Sequence, residues 1–101
     1  MRKLRELEKI PEGTHVFAVA TGGVNPFNKA SKKAARFIAE QEGFKAIYPF
    51  DLHHILWFFD SLGNAKIARN KMRAVGIAPG NNISEFVVLK DGGADFIAIA
   101  D

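Results

Sequence analysis

The sequence predicts an α+β fold in a single small domain, residues 1–101. Residues 14–20 are apolar at nearly every position, which favours a strand covered on both faces. Two later apolar runs, residues 83–90 and 94–100, flank Asp91-Gly92-Gly93 and predict a β-hairpin. Helical spacing dominates between these strands. The expected order is α-β-α-α-α-β-β, with a three-stranded, mainly antiparallel sheet (the N-terminal strand plus the C-terminal hairpin) packed against three to four helices.

The N-terminal half supplies two of the predicted helices. Residues 2–9 form a short helix that the Pro-Glu-Gly of residues 11–13 ends. After the strand, Thr21-Gly22-Gly23 interrupts the extended chain, and Asn25 can cap a helix that begins with a proline. This helix is expected to run to residue 42, because Gly43 is a typical stop.

The segment 51–62 holds most of the large side chains and is predicted to be a central helix. Asp51 is a good N-cap, and apolar residues follow it at helical spacing, at positions 52, 55, 56 and 59. Residues 44–48 are interpreted as a connector into this helix rather than as a strand. Trp57 and Phe58 project from other sides of the helix. They are either interior side chains or a protein-binding surface.

The C-terminal half completes the pattern. Asn64 is expected to cap a helix that runs to residue 75, and residues 78–82 form a loop. In the hairpin, a Gly-Gly turn would place Lys90 opposite Asp95. Apolar residues occur on both faces of the hairpin strands, more than the helices can cover. We therefore expect a second subunit to close one face or edge, as in a homodimer.

Composition narrows the class of protein. The chain has no Cys, which excludes disulfides, thiolate catalysis and Cys-based zinc sites. No apolar run reaches the roughly 20 residues that cross a bilayer, and the N-terminus is charged where a signal peptide is apolar. The prediction is a cytoplasmic protein with no membrane contact.

The positive charge lies mainly in the first half of the chain. The formal net charge is +3, and residues 1–50 hold nine Lys and Arg against five Asp and Glu. Cations form two rows on the predicted helices, one in each half of the chain. The candidate nucleic-acid-binding residues are Lys29, Lys32, Lys33 and Arg36 on one helix and Lys66, Arg69 and Arg73 on another. Rows of cations that pack side by side can follow a phosphate backbone. The alternative is that they merely solvate the outer sides of amphipathic helices.

The sequence also contains weaker patterns that could indicate a function. Residues 52–75 have the scale of a helix-turn-helix, and Thr21-Gly22-Gly23 before a helix resembles a generic anion cradle. The adjacent His53 and His54 point in different directions on the predicted helix and cannot form a helical zinc pair. No catalytic residue, metal site or cofactor is predicted, and no family resemblance is evident at the level of residues.

Two functions remain, neither of them enzymatic. The first is a nucleic-acid-associated binding protein that uses the basic helix faces. The second is a protein-interaction or inhibitor module, of the anti-defence type carried by phages and mobile elements, which binds an acidic protein surface through Trp57, Phe58 and the basic residues.

Overall fold

A computed structural model of the protein describes residues 9–22, 31–50, 53–90 and 92–101. This part of the chain contains five strands and two helices, so the α+β class stands. In chain order the elements are β1 (His15–Thr21), α1 (Lys32–Ala39), β2 (Phe44–Pro49), β3 (Ile55–Phe59), α2 (Leu62–Ala74), β4 (Ser84–Val88) and β5 (Ala94–Ile99).

The five strands form one sheet in the order β2-β3-β1-β4-β5, and every neighbouring pair is antiparallel. The units β1-α1-β2 and β3-α2-β4 each leave a gap between their two strands, and one strand of the other unit fills it. This interleaving is the split β-α-β arrangement known as ferredoxin-like. β5 then adds a fifth strand beside β4.

The predicted three-stranded sheet with three to four helices is wrong, and the main reason is the segment predicted as a central helix. Residues 55–59 form the strand β3, and all five of its side chains are buried. A run that is apolar at every position fits the helical period and the strand period equally well, so spacing could not decide between them. The β-branched and aromatic residues of this run favour a strand.

The segment 44–48, predicted as a connector, belongs to strand β2, which pairs with β3 in the register Ile47↔Trp57. The helix predicted at residues 2–9 lies outside the described residues, except at its last residue. The helix predicted to begin at residue 26 is described from Lys32 to Ala39. The hairpin register is also corrected, because Asp95 pairs with Val87 and not with Lys90.

The sheet separates two hydrophobic clusters. On the first face, both helices pack against the sheet through the small or flexible side chains Ala35, Ile38, Ala65, Ala68 and Met72. The strand residues beneath them include Val19, Ile55, Trp57 and Phe59. The opposite face carries a second cluster, Val16, Ala18, Ala46, Leu56, Phe58, Phe86 and Val88. We call these the helix face and the aromatic face.

A tight turn joins α1 to β2 within the first β-α-β unit. Gly43 has a φ of 83°, in the left-handed region that favours glycine. Its carbonyl accepts a hydrogen bond of 2.9 Å from the Asp60 N–H. A Cβ at this position would lie 2.6 Å from Nδ2, the side-chain amide nitrogen, of Asn64. The turn therefore packs directly against the N-terminus of α2, where the Ser61 hydroxyl accepts a hydrogen bond from the Asn64 N–H.

Candidate nucleic-acid interface

α1 carries a row of exposed cations. Ala35 and Ile38 are buried against the sheet, so the opposite side of this eight-residue helix faces solvent. Lys32, Lys33 and Arg36 are exposed there, and within the described part of the chain no carboxylate forms an ion pair with any of them. We call these three residues the α1 row. Lys29, predicted to extend it, lies outside the described residues.

α2 carries a second row along one flank. Lys66, Arg69 and Arg73 are spaced i, i+3 and i+7, which places them on one side of a helix. The buried side of this helix consists of Ala65, Ala68 and Met72. We call the three cations the α2 row. Lys66 and Arg69 are partly buried, and Arg73 is exposed.

Arg69 is occupied by contacts within the protein. Its Nη1 donates to the Asp101 Oδ2 at 2.8 Å and to the Asn81 carbonyl at 2.7 Å. The other carboxylate oxygen of Asp101 accepts from the Ile83 N–H at 2.7 Å. This backbone donor and the guanidinium together hold the pKa of the Asp101 carboxyl below its usual value. Arg69 therefore attaches the C-terminal segment to α2. Arg73 makes one longer hydrogen bond, from its Nη2 to the Asn81 Oδ1 at 3.4 Å, and is otherwise exposed. Lys66 and Arg73 are thus the members of the row that can reach a partner.

The two rows do not form one continuous band. The α2 row faces Asn81 and Asp101, whereas the residues that directly follow α1 lie beside the other flank of α2. This other flank contains Ile67 and Lys71, which line a small cleft together with Glu42 from the turn after α1. Ile67 is 53% exposed. A ligand that contacts both rows must therefore cross the outer side of α2.

Both helices nevertheless carry only positive charge. The two helix sequences, KKAARFIA and LGNAKIARNKMRA, contain seven of the 14 Lys and Arg of the chain and no Asp or Glu. Both lie on the helix face of the sheet. Lys71, which is not among the predicted binding residues, is exposed and is one of the seven. It lies on the opposite flank of the helix from the α2 row, so the spacing that predicts the row does not include it.

Trp57 and Phe58 are interior residues. Both have 0% exposed surface. The Trp57 Nε1 donates a hydrogen bond of 2.8 Å to the Thr21 hydroxyl. The Phe58 ring lies between those of Tyr48 and Phe86, with centroids 5.9 and 5.2 Å away. Neither side chain is accessible to a protein partner.

Within the described part of the chain, the three histidines do not form a cluster with other metal-binding side chains. The Nδ1 of His15 lies 2.6 Å from a carboxylate oxygen of Glu85 on the neighbouring strand. His53 and His54 are exposed ahead of β3. Within the described ranges no three His, Cys, Asp or Glu side chains lie close enough to hold a metal ion. In the same part of the chain no helix combines the length and the apolar character that crossing a bilayer requires. The predicted Thr21-Gly22-Gly23 cradle lies partly outside the described residues, which end at Gly22 and resume at Ser31.

The structure also contains exposed apolar surface, part of it on the hairpin strand β5, where the sequence predicts more apolar residues than the helices can cover. Ala20, Phe50, His54, Leu56 and Phe86 line an open, mostly apolar cleft of about 280 Å³ on the aromatic face. Strand β5 exposes large apolar side chains as well. Its signal in the sequence was the absence of any Lys, Arg or Pro between Ala94 and Ile99.

Comparison with known proteins adds no relative. No family model, no curated protein and no solved structure matches the chain.

Proposed function

We propose that this protein is a non-enzymatic binding module that holds nucleic acid by its phosphate backbone, through the cations of α1 and α2. The observation that carries the proposal is the charge of the two helices, whose sequences contain seven cations and no carboxylate and which both pack on the same face of the sheet. Each Lys or Arg that neutralises a phosphate releases condensed counterions, which favours binding.

The positions of the cations predict binding with little sequence preference. The α1 row consists of flexible, exposed side chains suited to phosphate contacts. Reading of base edges by hydrogen bonds needs side chains that enter a groove in a fixed register, and Asn70 is the one exposed amide on the outer side of α2. We therefore expect affinities typical of non-specific complexes, with dissociation constants of about 10⁻⁴ to 10⁻⁶ M at physiological salt.

The alternative of an acidic protein partner has less support. This alternative requires an aromatic contact surface in addition to the same cations. The aromatic residues predicted to form that surface, Trp57 and Phe58, are buried. Interfaces between proteins depend on a few large anchors near their centre. Among the described residues of α1, no such anchor lies beside the exposed cations.

The test is binding of fluorescent oligonucleotides, single-stranded and duplex, measured by anisotropy at low salt. A variant with Lys33→Glu, Arg36→Glu, Lys66→Glu and Arg73→Glu should lose binding at least tenfold. Arg69 is left unchanged because it holds Asp101.

A matched control separates the effect of the helix surface from the effect of the protein's net charge. Lys45→Glu with Lys90→Glu reverses two exposed cations outside the helices, and it is compared with Lys33→Glu, Arg36→Glu, which changes the net charge equally. Loss of binding in the helix pair alone supports the proposal. Equal loss in both pairs, or no binding by the unmodified protein at low salt, contradicts it.

A further inference from the structure

β5 is an edge strand of the sheet formed by the described residues. It is the last strand in the order β2-β3-β1-β4-β5, and β4 is its one neighbour among the described strands. Its large side chains are exposed, with Phe96 at 57%, Ile97 at 42% and Ile99 at 52%. An outer strand also presents main-chain N–H and C=O groups that can pair with another strand. β5 thus combines a free hydrogen-bonding edge with apolar side chains.

The other edge of the same sheet is built differently. β2 has an exposed lysine, Lys45, in its second position and ends at Pro49, which has no N–H to donate. Lysine and proline on an edge strand discourage pairing with another chain. β5 contains neither, and its one charged residue is Asp95, near its start. The contrast points to β5 as the edge that is used for pairing.

A β-bulge in β5 gives its outer face a defined pattern. Phe86 pairs with Phe96, but the preceding residue of β4, Glu85, pairs with Ala98, so β5 contains one extra residue. Ser84 pairs with Ile99 on one side and with Ala18 of the aromatic face on the other. Directly paired residues lie on the same face of a sheet. Phe96 and Ile99, three residues apart, therefore both lie on the aromatic face.

We propose that β5 pairs antiparallel with β5 of a second copy of this protein, which makes a continuous ten-stranded sheet. A two-fold axis between Ile97 and Ala98 places Phe96 of each copy opposite Ile99 of the other on the aromatic face. Ile97 and Ala98 of the two copies face each other on the helix face. The same strand is thus complementary to itself, as a two-fold interface requires. In this register each Asp95 lies opposite residue 100 of the other copy, so the two carboxylates stay apart.

The core is continuous up to the proposed interface. The Phe96 ring contacts Phe86 at a centroid distance of 5.7 Å, and Phe86 in turn contacts Phe58. A second copy would cover the exposed side of Phe96 and extend this row of rings across the axis. The two-fold axis is perpendicular to the sheet, so α1 and α2 of both copies lie on the same side. The inference does not depend on nucleic-acid binding, although it would double the number of helix cations on that side.

The exposed area predicts a weak dimer. An aromatic side chain buries about 150–250 Å² in a core, so 57% exposure of Phe96 leaves about 100 Å² to cover. With the two isoleucines, the side chains offer about 250 Å² per copy. Even with the main chain added, this is below the roughly 800 Å² per partner of a standard interface. We therefore expect a dimer that dissociates on dilution.

Sedimentation velocity over a wide concentration range tests the proposal. The protein should shift from 11.1 kDa towards twice that mass as concentration rises. Ile99→Lys should weaken the association at least tenfold. Ile67→Lys is the control, because Ile67 is equally exposed, at 53%, but lies on α2. It should leave the association unchanged, and circular dichroism should show both variants folded.

The absence of Cys from the chain allows a second measurement that does not depend on folding stability. A single cysteine in Ala98→Cys should be joined to its copy by a short bis-maleimide, and one in Lys45→Cys should not. Monomers at every concentration would overturn the proposal. So would a dimer that Ile99→Lys leaves intact, or one that cross-links through position 45 instead of 98.

Discussion

The Trp57 indole N–H donates to the Thr21 hydroxyl across the β1–β3 pair, and both side chains are buried, with 0% and 2% of their surface exposed. Thr21 is the one buried polar residue among the described residues. A buried donor that loses its acceptor keeps the full cost of having left water. This contact therefore fixes the position of the indole at the centre of the helix face.

Thr21→Val should lower the free energy of unfolding by about 1 to 3 kcal/mol, because valine has nearly the same shape and leaves the indole N–H without an acceptor. Thr21→Ser should keep the hydrogen bond and therefore lower the free energy of unfolding less than Thr21→Val does through loss of this bond. Urea denaturation followed by Trp57 fluorescence measures both. Thr14→Val, at an exposed hydroxyl that donates to the Pro11 carbonyl, is the control and should have a smaller effect.

Gly43→Ala should destabilise the protein more than Gly13→Ala. Both glycines have a positive φ, 83° and 89°, and this alone costs an alanine about 1 to 2 kcal/mol. A Cβ at Gly13 meets no atom within 4 Å, whereas at Gly43 it would overlap the side chains of Asp60 and Asn64. The difference between the two variants in urea midpoint isolates this steric effect. Equal losses would show that the turn does not press against α2.

Removal of the Asp101 carboxylate should have an effect that depends on pH. The pKa of Asp101 is lowered in the folded protein from an ordinary value of 3.8, mainly by the hydrogen bond from the Ile83 N–H and to a smaller extent by Arg69. A carboxylate of this kind stabilises the fold above its unfolded pKa, and the contribution is lost as pH falls through the lower folded pKa. Asp101→Asn should therefore be less stable than the unmodified protein at neutral pH, with a difference that shrinks at increasingly acidic pH below 3.8.

The measurement for this prediction is the urea midpoint of both proteins between neutral pH and pH 2. Glu12→Gln, which removes one negative charge from an exposed turn, is the control for net charge. A difference between Asp101→Asn and the unmodified protein that stays constant over this range would contradict a role for the carboxylate.

Nucleic-acid binding should weaken with salt in proportion to the cations involved. For duplex DNA the slope of log K against log salt is about −0.9 for each phosphate neutralised. Lys33→Gln with Arg36→Gln should reduce the magnitude of this slope by up to about 2. Anisotropy titrations at several salt concentrations provide the slopes. An unchanged slope would place the phosphate contacts elsewhere on the protein.

The sequence predicted α2 well and β3 badly, for one physical reason. In α2, buried Ala65, Ala68 and Met72 alternate with exposed polar residues, so the period of 3.6 is visible. The predicted end at residue 75 is one residue beyond Ala74, but the predicted cap Asn64 is wrong, because the N-cap is Ser61, three residues earlier. In β3 all five residues are buried, and no period remains to be seen. The neighbouring strand β2 was missed with it, because its strand character comes from pairing with β3.

The candidate surface was predictable in part. The exposure of Lys33 and Arg36 follows from the amphipathic pattern of their helix. The ion pair between Arg69 and Asp101 joins residues 32 positions apart, and no local pattern announces such a contact. The break between the two rows follows from the rotation of α2 about its axis, which only the packed structure determines.

The central position of β1 affects how the chain can fold. β1 begins at His15 and pairs with β3 and with β4, whose residue Val87 lies opposite His15. Contacts this distant in sequence slow folding, since a long loop must close before they form. During synthesis, a nascent chain that has not yet exposed β4 would leave one edge of β1 bare. The ribosome must therefore release nearly all of the described sequence before the sheet can be completed.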